Sequence, residues 1–248
     1  MLGIIVQLAI SWLIIWFFVR KDPVGNKGNL NVLGFFPTKR RLIDFGIFFI
    51  ITAICCASDF FIRMYFAGEQ WKLNPNLSAS LVLSGLWWNL KSVLFEELIF
   101  RGVLFYILIK KLGAVKAIII SAIAFGIYHW FSQEVFGDAK QMIITFLLTG
   151  TMGLLYAYGY AKSFSLYIPS AIHLGWNITR SVLFSETVIG DQLLVHVKPA
   201  PVVQVSYFVY YFWLFFPMLS ALLINFLLLR KKKQVELITS KKTFLNRN

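Results

Sequence analysis

The chain has 248 residues, of which 58% are apolar and 17% aromatic, and only 14% are charged. Soluble domains carry roughly 25% charged residues, so this composition excludes an ordinary water-soluble domain. The formal net charge of +13 would suggest nucleic-acid binding in a soluble protein. In a membrane protein the positions of the basic residues matter more than their sum, and no nucleic-acid partner is predicted.

Long apolar runs predict an all-α protein, a polytopic membrane helix bundle in which residues 1–248 form a single domain. A bilayer core about 30 Å thick requires about 20 apolar residues per helix. Seven runs are close to or above this length: Leu2–Val19, Leu42–Ala67, Ser78–Ile109, Ala114–Phe131, Met142–Ala161, Phe164–Phe184 and Val202–Leu229. Dividing the third run would give eight spans, but we interpret it as one tilted helix.

The distribution of Lys and Arg predicts the orientation of the spans. Four segments, Arg20–Arg41, Lys110–Lys116, Lys162 and Arg230–Asn248, hold 17 of the 24 basic residues, whereas the alternate loops near Lys72, Lys140 and Lys198 hold one each. By the positive-inside rule the first set is cytoplasmic, and the chain runs N-out and C-in. Residues 230–248 are therefore predicted to form a basic cytoplasmic tail, which also attracts anionic lipid head groups.

Ionisable side chains inside the predicted spans are expensive to bury in lipid, so they are candidate functional residues. Asp59 and Arg63 are four residues apart and are predicted to pair on one helix face. The other candidates in the spans are Asp44, Lys91, Glu96, Glu97, Arg101, His129, His173 and Arg180, with Asn177 as an uncharged addition.

The adjacent carboxylates Glu96 and Glu97 require compensation, because they repel each other and both lose water. Glu97 and Arg101 are spaced i,i+4 and are predicted to form an ion pair within the helix. Glu96 points about 100° away around the helix, so we expect its partner to come from another element. Desolvation and a nearby cation or metal would tune this carboxylate to act as a base.

Candidate partners lie in two further segments, FGIYH, which ends in His129, and HLGWN, which places His173 and Asn177 on one helix face. With a rise of about 1.5 Å per residue from the cytoplasmic Lys residues, Glu96 and His129 lie about 20 Å deep, and His173 and Asn177 about 16 and 22 Å deep. We therefore expect polar groups from three helices in one layer. His196 falls in an outer loop and is left out.

Together these residues predict hydrolysis, with residues 78–184 as the catalytic helices. A Glu can take a proton from water, and two imidazoles can hold a metal or assist proton transfer. An Asn amide can donate a hydrogen bond to a developing oxyanion.

The same residues resemble the CPBP intramembrane proteases, a family named for CAAX proteases and bacteriocin-processing enzymes and also called the Abi family. Its motifs E-E-x-x-x-R, F-x-x-x-H and H-x-x-x-N occur here in order as EELIFR, FGIYH and HLGWN, and the matched residues are Glu96, Glu97, Arg101, Phe125, His129, His173 and Asn177. The resemblance covers about Phe95 to Asn177, and the combination of three motifs is specific.

The resemblance implies peptide-bond cleavage inside the membrane, with Glu96, Glu97, His129, His173 and Asn177 as the catalytic residues. Glu96 would activate water, and His129 would help to hold that water or a metal. Glu97 would orient the site together with the motif arginine, Arg101. His173 and Asn177 would bind a metal or stabilise the oxyanion.

The resemblance leaves the cofactor open, because the family is described both as metalloproteases and as metal-independent glutamate proteases. A divalent metal, zinc, is the predicted cofactor, with His129 and His173 as ligands. Zinc usually takes three protein ligands and a water, so Glu96 or Glu97 would have to supply the third.

The predicted substrate is a membrane-associated, prenylated or secreted peptide or a membrane protein, and the predicted location is the bacterial cytoplasmic membrane. The alternative function is that of a non-catalytic family member acting as a membrane immunity or regulatory partner. A proton-coupled carrier would be indicated by two pseudo-symmetric halves, which the sequence does not show. Bis-His haem ligation would leave Glu96 and Glu97 unexplained.

Overall fold

The structure is a computed structural model, and it describes residues 5, 6, 9, 10, 13, 33–197 and 204–233. Most of the predicted span Leu2–Val19 and the first part of the cytoplasmic segment Arg20–Arg41 lie outside the described residues. The same holds for Lys198 and for the basic tail from residue 234 onward.

Helices dominate the described chain, which confirms the all-α class. In chain order they are α1 (Lys39–Ala67), α2 (Ala79–Arg101), α3 (Val103–Leu112), α4 (Ala114–Ser132), α5 (Ala139–Ser163), α6 (Tyr167–Ile178), which continues into a π-helical turn (Thr179–Leu183), and α7 (Tyr207–Lys231). Two short strands, β1 (Trp71–Leu73) and β2 (Leu194–His196), pair antiparallel.

Four of the described helices, α1, α4, α5 and α7, are long and apolar enough to cross a membrane. They correspond, with shifted ends, to the predicted spans Leu42–Ala67, Ala114–Phe131, Met142–Ala161 and Val202–Leu229. The protein is therefore an integral membrane protein, and the total of seven spans stays a prediction.

The prediction of one helix over Ser78–Ile109 is wrong, because the chain leaves the helical conformation at Gly102. Gly102 has φ −79° and ψ −147°, and a Cβ atom at this position would collide with the carbonyl oxygen of Leu98. Glycine is therefore required at the break. The hydroxyl of Ser121 donates to the carbonyl of Phe100 at 2.8 Å, which satisfies one of the carbonyls left open where α2 ends.

Three of the four depths derived from a continuous helical rise do not apply. The count from Lys110 to Glu96 crosses the break after α2. The counts from Lys162 to His173 and Asn177 cross the connection between α5 and α6, where Phe164 adopts a left-handed conformation with φ 44°. The count from Lys116 to His129 stays within α4.

The described residues form two compact units built from interleaved stretches of chain. The first comprises the described parts of Met1–Leu42, Leu94–Pro169 and Leu229–Asn248. Its apolar core includes Phe105, Tyr106 and Tyr160. Within it α4 lies close to α5, since a Cβ atom on the α4 glycine of FGIYH would lie 2.7 Å from an α5 phenylalanine ring.

The second unit comprises Ile43–Val93 and the described parts of Ser170–Leu228. Phe60 and Phe184 stack in its core with ring centroids 3.8 Å apart. Here α6 approaches α1 closely at Gly175, where a Cβ atom would lie 2.5 Å from an α1 carbonyl oxygen. The motif HLGWN thus contains a glycine that the packing of these two helices requires.

Candidate active site

The structure brings Glu96 and His129 together from two different helices of the first unit. Glu96 lies on α2 and His129 on α4, and the Glu96 Oε2 atom is 3.9 Å from the His129 Nε2 atom. The two side chains are 13% and 12% exposed, respectively. The distance is longer than a direct N–H···O hydrogen bond of about 2.9 Å, and a contact of this length suits a bridging water.

The backbone of α4 fixes the tautomer of His129. Its Nδ1 atom lies 2.8 Å from the carbonyl oxygen of Phe125, one helical turn earlier. A carbonyl oxygen only accepts hydrogen bonds, so Nδ1 carries the proton and, in the neutral ring, Nε2 is the acceptor. The acceptor nitrogen is the one that faces Glu96.

Glu97 and Arg101 form the ion pair that their spacing predicts. The Arg101 Nη1 atom lies 3.3 Å from the Glu97 Oε1 atom, and both side chains are fully buried. Taking either charge out of water is costly, so each is held in place by the other. The adjacent carboxylates thus have different environments, since Glu97 pairs within α2 and Glu96 faces α4.

Arg101 also connects α2 to α4 and α5. Its Nη2 atom donates to the carbonyl oxygen of Gly153 on α5 at 3.0 Å, and its guanidinium carbon lies 4.3 Å from the centroid of the Phe125 ring. Phe125 is the residue whose carbonyl holds His129. Arg101 therefore supports both the carboxylate pair and the helix turn that orients the imidazole.

Gly153 permits this close approach on α5. A Cβ atom at this position would lie 3.1 Å from Phe125 Cδ1 and 3.3 Å from Arg101 Nη2. At Gly150, one turn earlier, the nearest atom to such a Cβ would be 3.6 Å away, which is an ordinary contact. Of these two glycines, Gly153 is the one at which a Cβ atom would be tight against the neighbouring side chains.

His173 and Asn177 lie in the second unit, both on α6. His173 is buried, with 5% exposure, and Asn177 is partly buried. The carbonyl of Asn177 accepts a hydrogen bond from the hydroxyl of Ser181 at 2.6 Å. The expectation that both residues share one layer with Glu96 stays a prediction.

Two polar residues that contact the Asn177 segment, directly or through each other, were not predicted from the sequence, namely Ser181 and Asn89. Asn89 is fully buried on α2 and donates to the Ser181 hydroxyl at 2.8 Å. An asparagine in a predicted span is itself a signal, because polar side chains within spans bond to neighbouring helices.

A charged cluster lies in the second unit and includes the predicted Asp59–Arg63 pair. Arg63 lies 3.5 Å from Asp59, 3.1 Å from Glu69 and 2.7 Å from Glu186. Arg180 lies 3.6 Å from Asp59 and 3.1 Å from Glu186. Arg180 therefore takes part in the ion pairs of this cluster.

A metal site is not formed by the residues that the structure describes. Among them, no group of three or more His, Cys, Asp and Glu side chains is placed to hold a metal ion. Glu96 and His129 supply two donor groups, whereas a catalytic zinc usually has three protein ligands. Glu96 and His129 alone therefore do not provide the ligands of a catalytic zinc ion.

Comparison with known families bears directly on this part of the chain. Residues 78–179 match the family model described as type II CAAX prenyl endopeptidase Rce1-like. Neither the curated proteins nor the solved structures give a significant match. The matched segment contains all three motifs, and the match confirms the resemblance to the CPBP family.

Proposed function

We propose that the protein is an intramembrane endopeptidase in which Glu96 activates water for peptide-bond hydrolysis. The observation that carries this proposal is the 3.9 Å separation of Glu96 Oε2 and His129 Nε2. A water about 2.8 Å from both atoms would form an angle of about 90° with them, close to the geometry of two donated hydrogen bonds. Such a water is held and oriented by both groups.

The reaction then follows general acid–base chemistry. The water donates one hydrogen to His129 Nε2 and the other to the Glu96 carboxylate. As its oxygen attacks the peptide carbonyl, Glu96 takes the proton. The protonated Glu96 next gives this proton to the leaving amine, the C–N bond breaks, and a carboxylic acid and an amine are released. His129 stays neutral and holds the water.

Glu97 and Arg101 have a positioning role in this proposal. Their buried pair fixes the end of α2 next to Glu96, and the contact of Arg101 with Phe125 fixes the α4 turn that holds His129. By the motif resemblance, His173 and Asn177 would stabilise the oxyanion of the tetrahedral intermediate. A zinc ion held by His129 and His173 remains the alternative that a metal analysis tests.

For the substrate we propose a membrane-associated peptide, with a prenylated CAAX-type C terminus as the first candidate. The description of the matched family supports this choice. We place the protein in a bacterial cytoplasmic membrane with its N terminus outside and its C terminus inside, since most Lys and Arg residues lie in the segments assigned to the cytoplasm.

The test uses the purified full-length protein in detergent and in liposomes. A fluorogenic peptide library, in farnesylated and matched unprenylated forms, is cleaved by the wild type and by the variants Glu96→Gln and Glu134→Gln. Glu134 is exposed in the segment between α4 and α5 and serves as the control. We expect Glu134→Gln to retain activity and Glu96→Gln to lose about 100- to 10,000-fold, the range for a general base.

Two results would overturn the proposal. One is cleavage by Glu96→Gln at the wild-type rate, and the other is a folded wild type that cleaves no peptide, which would favour a non-catalytic regulatory partner. Metal content and chelation are measured on the same sample. Stoichiometric zinc with loss of activity on chelation would support the metal alternative, and unchanged activity without metal would support the water held by Glu96 and His129.

A further inference from the structure

A chain of buried hydrogen bonds ends on the backbone of Asn177. Asn89 is fully buried on α2, and its Nδ2 atom donates to the carbonyl of Gly85 and to the Ser181 hydroxyl, both at 2.8 Å. Since the Gly85 carbonyl only accepts, the amide nitrogen must face it, and the orientation of the Asn89 amide is fixed. Ser181 in turn donates to the Asn177 carbonyl at 2.6 Å.

This chain acts where the helix changes its hydrogen-bonding pattern. Asn177 lies near the end of α6, and Ser181, which is 1% exposed, lies in the π-helical turn that follows. Changes from α to π geometry disturb the regular backbone pairing and are frequent at functional sites. The Ser181 hydroxyl is a side-chain donor to the backbone at this point, and Asn89 fixes the hydroxyl from a different helix.

We propose that Asn89 is a positioning residue for Asn177. The inference rests on the proposed function, in which the Asn177 amide donates to the oxyanion. The hydrogen bond to the Asn177 backbone carbonyl fixes the backbone that carries the Asn177 side-chain amide. Catalytic groups must be held to within about 0.5 Å. A misplacement of about 1 Å can cost about 100-fold in rate. Asn89 thus acts through Ser181 and the backbone and touches no reacting atom.

A matched control is present in the same unit. Asn225 on α7 is also fully buried, and it donates to the carbonyl of Ala221, four residues earlier, at 2.8 Å and to the Thr52 hydroxyl at 3.0 Å. Thr52 then donates to the Phe48 carbonyl at 2.8 Å. The pattern repeats that of Asn89 bond for bond, but the chain ends on α1 and includes no motif residue.

The test compares Asn89→Ala, Ser181→Ala and Asn225→Ala in the full-length protein. Each of the three variants breaks a buried hydrogen-bond chain, so we expect similar decreases in thermal stability. An oxyanion donor acts in the transition state, so Asn89→Ala and Ser181→Ala should lower kcat about 10- to 100-fold with KM within about twofold. Asn225→Ala should keep kcat within about twofold of the wild type.

The double variant Asn89→Ala/Ser181→Ala shows whether the two residues act through one shared hydrogen-bond chain or have independent effects on kcat. If both residues act through the same carbonyl, its kcat should be no lower than that of the worse single variant. A multiplicative loss would contradict the proposal. So would a kcat for Asn89→Ala equal to that of Asn225→Ala. Should Asn89→Ala fail to fold, Ser181→Ala carries the same comparison.

Hydrogen exchange measures the positioning without reference to activity. Asn89→Ala should increase amide exchange in the segment 177–184, whereas Asn225→Ala should leave that segment unchanged. Unchanged exchange in Asn89→Ala overturns the inference even if the protein is an active protease. A wild type without Glu96-dependent cleavage overturns the proposed function, and with it the positioning role in catalysis, while exchange still reports on the hydrogen-bond chain.

Discussion

The Arg101 guanidinium lies 4.3 Å from the centroid of the Phe125 ring, and this contact joins two motifs that are separate in the sequence. On one side Arg101 pairs with Glu97. On the other, the Phe125 carbonyl accepts from His129. The proposed water-binding pair Glu96 and His129 is therefore supported by one buried cation, and several consequences can be measured.

Arg101→Lys should reduce activity although it keeps the positive charge. A lysine can pair with Glu97, but it lacks the planar group that lies over Phe125 and the rigid fork of donors that also reaches Gly153. We expect about a 10-fold or larger loss in cleavage rate and a lower thermal midpoint. Arg40→Lys, at an exposed position at the start of α1, is the control and should change neither.

The two adjacent carboxylates should respond differently to neutralisation. Glu97→Gln leaves Arg101 charged and fully buried, and breaking a buried pair costs about 3–5 kcal/mol. Glu96→Gln changes a partly exposed carboxylate that faces His129, so it should abolish cleavage with a smaller loss of stability. Thermal unfolding of both variants checks this. Equal destabilisation would contradict the division of roles.

Gly153→Ala should damage the site, whereas Gly150→Ala should not. A Cβ atom at residue 153 meets Phe125 at 3.1 Å and Arg101 at 3.3 Å, while one at residue 150 meets its nearest neighbour at 3.6 Å. Overpacking of this kind costs about 1–3 kcal/mol. Thermal midpoints and cleavage rates of the two variants should therefore diverge, and a common effect would show that helix propensity alone was being measured.

Arg63→Gln should destabilise the second unit. Arg63 is 15% exposed and contacts the carboxylates of Asp59, Glu69 and Glu186. Its loss removes one cation from all three and leaves Arg180 to pair with two of them, at a cost of about 3 kcal/mol. Lys72→Gln, at an exposed position in β1, should be close to neutral. The measurement is the denaturation midpoint of both variants at low and at high salt. Equal midpoints for Arg63→Gln and Lys72→Gln would contradict the importance of the cluster.

Features set by local spacing could be predicted from the sequence. The all-α class follows from the length of the apolar runs, and the pairs Glu97–Arg101 and Asp59–Arg63 follow from the i,i+4 geometry of a helix. The break at Gly102 could not be predicted in this way, because a single glycine in an apolar run is usually tolerated within a helix.

Contacts between different helices could not be predicted from the spacing of residues. The position of Arg101 over Phe125 and the need for Gly153 depend on how α2, α4 and α5 pack, which no periodicity encodes. Asn89 was not predicted for a different reason, because an uncharged side chain in a span is a weaker signal of function than an ionisable one. Its contact with Ser181 also depends on the π-helical turn, for which the sequence carries no simple signal.

The central claim is that Glu96 activates a water molecule, and a single-turnover reaction in ¹⁸O-labelled water tests it most directly. With enzyme in excess over a peptide substrate, the account predicts one ¹⁸O atom in the new C-terminal carboxylate of the product. It also predicts no label in Glu96. A product that lacks ¹⁸O, together with ¹⁸O in the peptide that contains Glu96, would show that the carboxylate attacks the substrate itself and would contradict the account.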